Sequence, residues 1–255
     1  MSKSLIINAD DFGYNDDVTD ATIDLFERGA ISSATIMVGM PASRRAIAYA
    51  RSQGRRFSFG LHFNIVDGMR PRSAKPVSLL DASGRFRMSP AQRRRAGAFR
   101  LARRDLETEL EAQLAELRSA GVEVSHIDSH GHLHKFPVVA MAVRRVMRRQ
   151  GVPHVRLPQS LYASARASQR LVNFFYRPFF VGLSHPAHTF VNPDVGDPAW
   201  LERLLGTLPD GVTELAVHPG MGADWLRAET IPLRDPALHR KLDAQQVGLI
   251  SYWDL

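Results

Sequence analysis

The chain alternates short runs of β-branched and aromatic residues with longer segments of helical periodicity. The strand-like runs lie at residues 4–9, 33–38, 57–63, 122–128, 154–157, 189–191, 214–217 and 249–252. Seven or eight β–α units in one chain predict an α/β fold, a parallel (β/α) barrel that is distorted or incomplete. A doubly wound sheet is the alternative. Dinucleotide binding lacks its motif, because no GxGxxG follows any of these runs.

The length of 255 residues and the 44% hydrophobic content fit one domain with a full core. We therefore predict a single domain over residues 1–255 with an insertion. Residues 64–90 and 161–192 are the predicted loop or insert regions, and a long helix is predicted over residues 92–120. The second insert carries five aromatic residues within 174–180. They predict either a buried element or an apolar wall for a sugar face or a lipid tail.

Several classes of protein are excluded by what the sequence lacks. It has no cysteine, which excludes a disulfide scaffold, a thiolate metal site and a cysteine nucleophile. No apolar run approaches the roughly 20 residues of a transmembrane helix, so no integral membrane segment is expected. The N-terminus leads almost directly into a strand-like run rather than a secretory signal, which predicts a cytoplasmic protein.

The formal net charge of +7 comes mainly from arginine. Residues 85–104 contain arginines and no acidic residue, and four more arginines follow within 144–149. Such clusters either form solvated helix faces or attract an anionic substrate or a membrane surface. No nucleic-acid recognition motif accompanies them, so no nucleic-acid partner is expected. Peripheral membrane contact and a homodimer remain open.

Polar residues follow the predicted strands, at the ends where parallel barrels build their sites. Asp10 and Asp11 end the first strand, and His218 ends a late one. The third strand carries the following polar pair: His62 and Asn64. The fourth strand and the segment that follows it hold Asp128 and four of the ten histidines, namely His126, His130, His132 and His134.

Each of these residues alone has a structural explanation, such as a helix cap or a core histidine. Together they predict a site for one divalent metal ion, with carboxylate and imidazole ligands and no sulfur. Zinc or magnesium is expected first, and manganese or cobalt would also fit. In an extended chain the histidines from 126 to 134 face one side, but each two-residue step advances about 6.6 Å. Only one or two of them can therefore bind one ion.

Four ordered motifs carry a resemblance to a known family: NADDFG, GLHFN, HIDSHGHLHKFP and ELAVHPG. They resemble the YdjC/ChbG carbohydrate deacetylases over nearly the whole chain. The resemblance implies a distorted β/α barrel related to polysaccharide deacetylases, and a divalent metal. It also implies hydrolysis of an N-acetyl group from an amino sugar, typically a chitin-type oligosaccharide. Family members in hopanoid or lipid-linked sugar pathways leave a lipid- or nucleotide-linked glycan open as the substrate.

The same resemblance implies a role for each matching residue. The implied metal ligands are Asp11, His62 and His130. The implied catalytic residues are Asp10 as general base, His218 as general acid and Arg156, which orients Asp10 or a substrate oxygen. Contacts to the substrate or to the ligands are expected from Asn64, Asp128, His132 and His134. Two other hypotheses are a different metal-dependent amidohydrolase or phosphoesterase on a similar barrel, and a non-catalytic sugar-binding module.

Overall fold

The computed structural model describes residues 3–162, 171, 174–191, 193 and 196–255. Within these residues eight strands form one sheet, and helices cover it. The strands are β1 (Lys3–Phe12), β2 (Ser33–Ile36), β3 (Ser58–Phe63), β4 (His126–Ser129), β5 (His154–Val155), β6 (His188–Val191), β7 (Gly211–Val217) and β8 (Val247–Leu249). The α-helices are α1 (Asp16–Glu27), α2 (Ser43–Gln53), α3 (Ser89–Gly97), α4 (Arg103–Ser119), α5 (Pro137–Gln150), α6 (Trp200–Thr207), α7 (Asp224–Leu233) and α8 (Leu238–Ala244).

The strand order is β5-β4-β3-β2-β1-β7-β6, and β8 pairs with the start of β1. Every ladder is parallel. Neighbours in the sheet are mostly neighbours in sequence, as in a barrel, whereas a doubly wound sheet reverses its order at a central strand. The gap between β5 and β6 is crossed by isolated bridges, Leu161 to Phe190 and His154 to Ser184. The predicted incomplete parallel barrel is confirmed.

The central strand is buried on both faces, as expected for a parallel strand covered by helices. Leu5, Ile6 and Ile7 of β1 are fully buried. Helix α5 has a clear sequence signal at each end. It starts at Pro137, whose missing N–H costs no helical hydrogen bond, and stops at Gly151 in the left-handed conformation.

The single long helix predicted over residues 92–120 is wrong. The chain forms α3 and α4 instead, separated by a turn in which Phe99 has a φ of 55°. Leu101 is buried in this turn, so the apolar periodicity continues across the break and hides it. The closing strand also ends earlier than predicted: β8 stops at Leu249, and a short 3₁₀ turn follows at Tyr252–Asp254.

The two predicted insert regions differ. Residues 64–90 form a loop with one 3₁₀ turn, Val77–Leu79, and an isolated antiparallel bridge between Leu80 and Phe86. In residues 161–192 the positions 163–170, 172–173 and 192 lie outside the described residues, and the remainder contains a 3₁₀ turn, Arg177–Phe180, and β6. Over the described ranges, the helices are too short or too polar to cross a membrane.

Candidate metal centre and active site

A bulge at the end of β1 lets two consecutive acids serve one site. In a regular strand adjacent side chains point to opposite faces. Between Ala9 and Phe12 the register against β2 shifts, because three steps of β1 oppose two steps of its partner. Asp11 within this bulge has a φ of 61°, a conformation that non-glycine residues rarely adopt. The bulge turns Asp10 and Asp11 toward the same cavity.

Two glycines of the motifs are required by close packing. Gly13 has a φ of 97°, and a Cβ there would lie 2.9 Å from the Cα of Ser43. Gly60 in β3 lies against the ring of His126, since a Cβ at this position would come within 2.6 Å of that ring. Larger residues at either position would displace the strand ends that carry the site.

Three potential metal ligands meet at the strand ends. Asp11 Oδ1 lies 3.1 Å from Nε2 of His62 and 2.8 Å from Nδ1 of His130. Their ligand atoms are all within 4.8 Å of one another. In a zinc sphere with ligand distances of about 2.0–2.2 Å, neighbouring ligand atoms are roughly 3.0–3.6 Å apart. One carboxylate and two imidazoles at this spacing fit a divalent cation and leave further positions for water and substrate.

His62 is held in the orientation that a metal ligand needs. Its Nδ1 donates to Asp128 Oδ1 at 2.7 Å, and the hydroxyl of Thr35 donates to the other oxygen of Asp128 at 3.0 Å. This hydrogen bond leaves the lone pair of Nε2 directed toward Asp11. Asp128 is fully buried behind the cavity, so it contacts His62 and does not line the cavity itself.

Arg156 lies fully buried behind the cavity and joins three carboxylates. It donates to both oxygens of Asp10 at 2.6 and 2.7 Å, and its Nη1 lies 2.7 Å from Asp128 Oδ2. Its Nε donates to Glu214 Oε1 at 2.8 Å. Asp10, Asp128 and His62 also form a group with metal-ligand spacing. The guanidinium already holds both carboxylates of that group, which makes the Asp11 group the better cation site.

The network sets the charges of its members. Burial alone would raise the pKa of Asp10, but the charge and hydrogen bonds of Arg156 lower it far below its ordinary value. Asp10 is therefore a carboxylate at any working pH. Burial raises the pKa of Glu214 to about 7, against the lowering effect of Arg156.

His218 faces Asp10 from the end of β7. Its Nε2 lies 4.0 Å from Asp10 Oδ2, and its Nδ1 lies 3.2 Å from Glu229 Oε2. The same oxygen of Glu229 accepts the backbone N–H of His218 at 2.7 Å. Burial disfavours the imidazolium, but the hydrogen bond and charge of Glu229, with Asp10, raise the pKa of His218 to about 9. The imidazole is therefore protonated at neutral pH.

The alternation expected over residues 126–134 is wrong beyond Ser129. Gly131 and His132 have φ values of 62° and 53°, and the chain enters a 3₁₀ turn. His132 reaches the cavity wall, where burial lowers its pKa to about 3. His134 is buried and its Nδ1 lies 2.8 Å from Ser129 Oγ. His126 points into the barrel and stacks on Tyr252 with ring centroids 3.6 Å apart.

The cavity has a volume of about 610 Å³. Its lining includes seven of the predicted site residues, namely Asp10, Asp11, His62, Asn64, His130, His132 and His218. Asn64 is 2% exposed and its Oδ1 accepts the N–H of Val66, so it shapes the loop more than the open space. Trp225 and Tyr14 line the same cavity and are 48% and 43% exposed.

Sequence reasoning missed three acids that the fold brings to the site. Asp67 Oδ2 lies 3.4 Å from Nε2 of His130, Glu229 holds His218, and Glu214 holds Arg156. Glu214 lies within the ELAVHPG motif, four residues before His218, which was an available signal. Asp67 lies in a loop and Glu229 in α7, and no pattern in the chain connects either acid with the histidine that it contacts.

The fold and the site define a parallel α/β barrel with a carboxylate–imidazole cluster at the carboxyl ends of its strands. A family model described as YdjC-like protein matches residues 4–246. The chain belongs to the YdjC-like family.

Similar proteins extend this result. A carbohydrate deacetylase of Geobacillus stearothermophilus is 32% identical over 99% of this chain and 98% of its own. A chitooligosaccharide deacetylase of Serratia marcescens is 35% identical over 60% of this chain and 59% of its own. A crystal structure from Enterococcus faecalis V583, described as a candidate cellobiose-phosphate cleavage protein, superposes with a TM-score of 0.81. It is 22% identical, covers 100% of this chain and 99% of its own, and supports the fold alone.

Proposed function

We propose that the protein is a divalent-metal-dependent carbohydrate N-deacetylase. The observation that carries the proposal is the grouping around one cavity of Asp11, His62 and His130 with an ionised Asp10 and a protonated His218. Relatives named carbohydrate deacetylase agree with this assignment. The substrate class is an N-acetylated amino sugar, either free as an oligosaccharide or linked to a lipid or a nucleotide.

A divalent cation held by Asp11, His62 and His130 would polarise the acetamide carbonyl and lower the pKa of water. Asp10 takes a proton from the attacking water, whose oxygen forms a bond to the carbonyl carbon. Arg156 holds Asp10 by two hydrogen bonds and fixes its direction. Because the pKa of Asp10 is low, Asp10 is a weak base. It can therefore take a proton efficiently only from a water whose own pKa is lowered.

His218 acts on the other side of the reacting carbon. As the carbon–nitrogen bond breaks, its Nε2 donates a proton to the departing nitrogen, and acetate and a free amine result. Glu229 holds the other ring nitrogen and keeps the imidazole charged until that step. The exposed rings of Trp225 and Tyr14 offer apolar surface for the face of a sugar, and Trp225 lies 5.6 Å from the His218 ring.

The test is acetate release by protein that has been stripped of metal and reloaded with zinc, magnesium, manganese or cobalt. The panel runs from N-acetylglucosamine and chitobiose to nucleotide- and lipid-linked amino sugars. We expect metal-dependent acetate from at least one of them, and the preferred substrate identifies the class. Stoichiometric metal without acetate from any amino sugar would contradict the proposal.

A further inference from the structure

An exposed apolar cluster lies on the insertion after β5, outside the active site. Its members, which we term the aromatic patch, are Phe174, Phe175 and Val181, exposed to 68%, 61% and 69%. The rings of Phe174 and Phe175 lie 6.0 Å apart, and Val181 follows in the same short segment. Phe180 in the same segment is buried and packs edge-on against His134 at 6.3 Å. The segment is therefore anchored by one aromatic side chain while it presents others to solvent. A cluster of exposed large apolar side chains marks a contact surface more often than single ones do.

The stretch of chain that carries the patch has charged residues of one sign. Residues 129–193 contain no aspartate or glutamate, although the chain has 26 acidic residues. The same stretch contains one lysine and eight arginines: Lys135, Arg144, Arg145, Arg148, Arg149, Arg156, Arg166, Arg170 and Arg177. Arg156 is used by the buried network, whereas Arg148 and Arg177 are exposed at the surface.

The structure joins two of these arginines to the segment that carries the patch, and Arg148 lies one helical turn after Arg144 in α5. Arg144 of α5 donates to the backbone carbonyl of Val181, and Arg177 donates to the carbonyl of Ala187 at 3.2 Å. Arg145 and Arg149 are paired with Glu107 of α4. In the part of the chain that the structure describes, Arg144, Arg148 and Arg177 have no acidic side chain within 4 Å.

We propose that the aromatic patch, Arg144, Arg148 and Arg177 form a docking surface for an anionic lipid bilayer. Aromatic side chains enter the interface between headgroups and acyl chains, and neighbouring arginines are attracted to anionic headgroups. Nucleic acid is a poorer match, because Val181 offers no ring for a base to stack on and no nucleic-acid recognition motif accompanies the arginines. A second copy of this chain is also disfavoured, because it would bring the same positive surface against itself.

The segment that carries the aromatic patch is connected to the cavity wall by a chain of contacts. Tyr176 packs on Phe136 with ring centroids 5.9 Å apart, and the guanidinium of Arg93 lies 5.7 Å from the centre of the Phe136 ring. Arg93 also donates to the carbonyl of Gly131, which lines the cavity. Docking to a bilayer does not require deacetylase activity, and vesicle binding is measured independently of that activity.

The test is co-sedimentation of the full chain with vesicles. One set contains phosphatidylcholine alone, and the other contains equal amounts of phosphatidylcholine and phosphatidylglycerol. We expect binding to the anionic vesicles at low salt, weak binding to the neutral ones, and loss of binding as salt screens the charges. No binding to anionic vesicles at low salt would overturn the proposal.

Two double variants separate the contributions of the surface. Arg144→Gln with Arg148→Gln, and Phe174→Ser with Phe175→Ser, should each lower the partition coefficient for anionic vesicles by at least about tenfold. Matched controls remove equal charge or apolar surface elsewhere: Arg44→Gln with Arg240→Gln, and Val77→Ser with Ile231→Ser, all at exposed positions. The controls should bind like the wild type.

Other results would overturn the assignment. Equal loss in the controls would mean that net charge or general hydrophobicity drives the binding. Stronger binding to single-stranded DNA or RNA than to anionic vesicles, lost in the same variants, would assign the surface to nucleic acid. A dimer that the Phe174→Ser, Phe175→Ser variant converts to a monomer, without vesicle binding by the wild type, would assign it to self-association.

Discussion

Charged residues lie in opposite environments in two regions of the molecule. One region is the floor of the cavity, formed by Arg156 and its carboxylate partners, and the other is the insertion after β5. In the floor, Arg156 is fully buried and its donors face the carboxylates of Asp10, Asp128 and Glu214. In the insertion, phenylalanines lie exposed beside arginines that have no acidic partner in the described residues. Buried charges must be paired inside the fold, whereas exposed charges are solvated by water and exposed apolar patches mark contact surfaces. Substitutions in the floor should therefore affect the proposed reaction, and substitutions of the exposed residues should affect the proposed docking.

The largest expected effect in the floor is the loss of a metal ligand. Asp11→Ala removes the carboxylate that faces both His62 and His130, so bound metal and acetate release should disappear together. Metal content by mass spectrometry and acetate release check this prediction. Asp81→Ala, which changes an exposed loop acid, is the control and should keep both. Full metal content in Asp11→Ala would remove Asp11 from the ligand set.

The neighbouring acid should behave differently. Asp10→Asn keeps the ligands but loses the base, so turnover should fall by roughly 10²–10⁴-fold while metal stays bound. The same two measurements apply. If Asp10→Asn loses metal while Asp11→Asn keeps it, the roles of the two acids are exchanged.

Within the insertion, buried and exposed phenylalanines should differ in their effect on stability. Phe180→Ala should lower the free energy of unfolding by about 3–5 kcal/mol, because it leaves a cavity beside His134. Phe174→Ala, at a position that is 68% exposed, should change it by no more than about 0.5 kcal/mol. Urea unfolding measures both. Equal losses would mean that the exposed ring is packed in solution.

The smallest expected effect is a shift in pH dependence. The pKa of His218 is raised to about 9, so the acid is protonated at neutral pH and loses its proton as the pH rises through that value. The kcat/KM profile should therefore fall on its alkaline side near pH 9. Glu229→Gln removes the charge that stabilises the imidazolium and should move this fall to lower pH by about one unit. An unchanged alkaline limb in Glu229→Gln would show that another group controls it.

Much of the arrangement follows from the sequence. The alternation of strands and helices predicts a parallel barrel, and polar residues at its strand ends must meet at one edge. Asp11, His62 and His130 lie together for that reason, and their roles as ligands remain a prediction. Helix α5 is marked by Pro137 and Gly151 at its two ends.

The rest depends on tertiary structure. No local pattern marks the bulge that turns Asp10 and Asp11 to one side, because its conformation is imposed by pairing with β2. The alternation of histidines fails at Gly131, where the backbone enters the left-handed region. Asp67 and Glu229 reach the site from a loop and from α7, and such long-range contacts leave no periodicity in one sequence.

The most direct test of the proposed metal centre is a diffraction experiment on crystals of the zinc-loaded protein at the zinc absorption edge. We expect one strong anomalous peak about 2.0–2.2 Å from a carboxylate oxygen of Asp11, Nε2 of His62 and a ring nitrogen of His130. A strong peak at another position, or no peak among these three side chains in the presence of excess zinc, would contradict it.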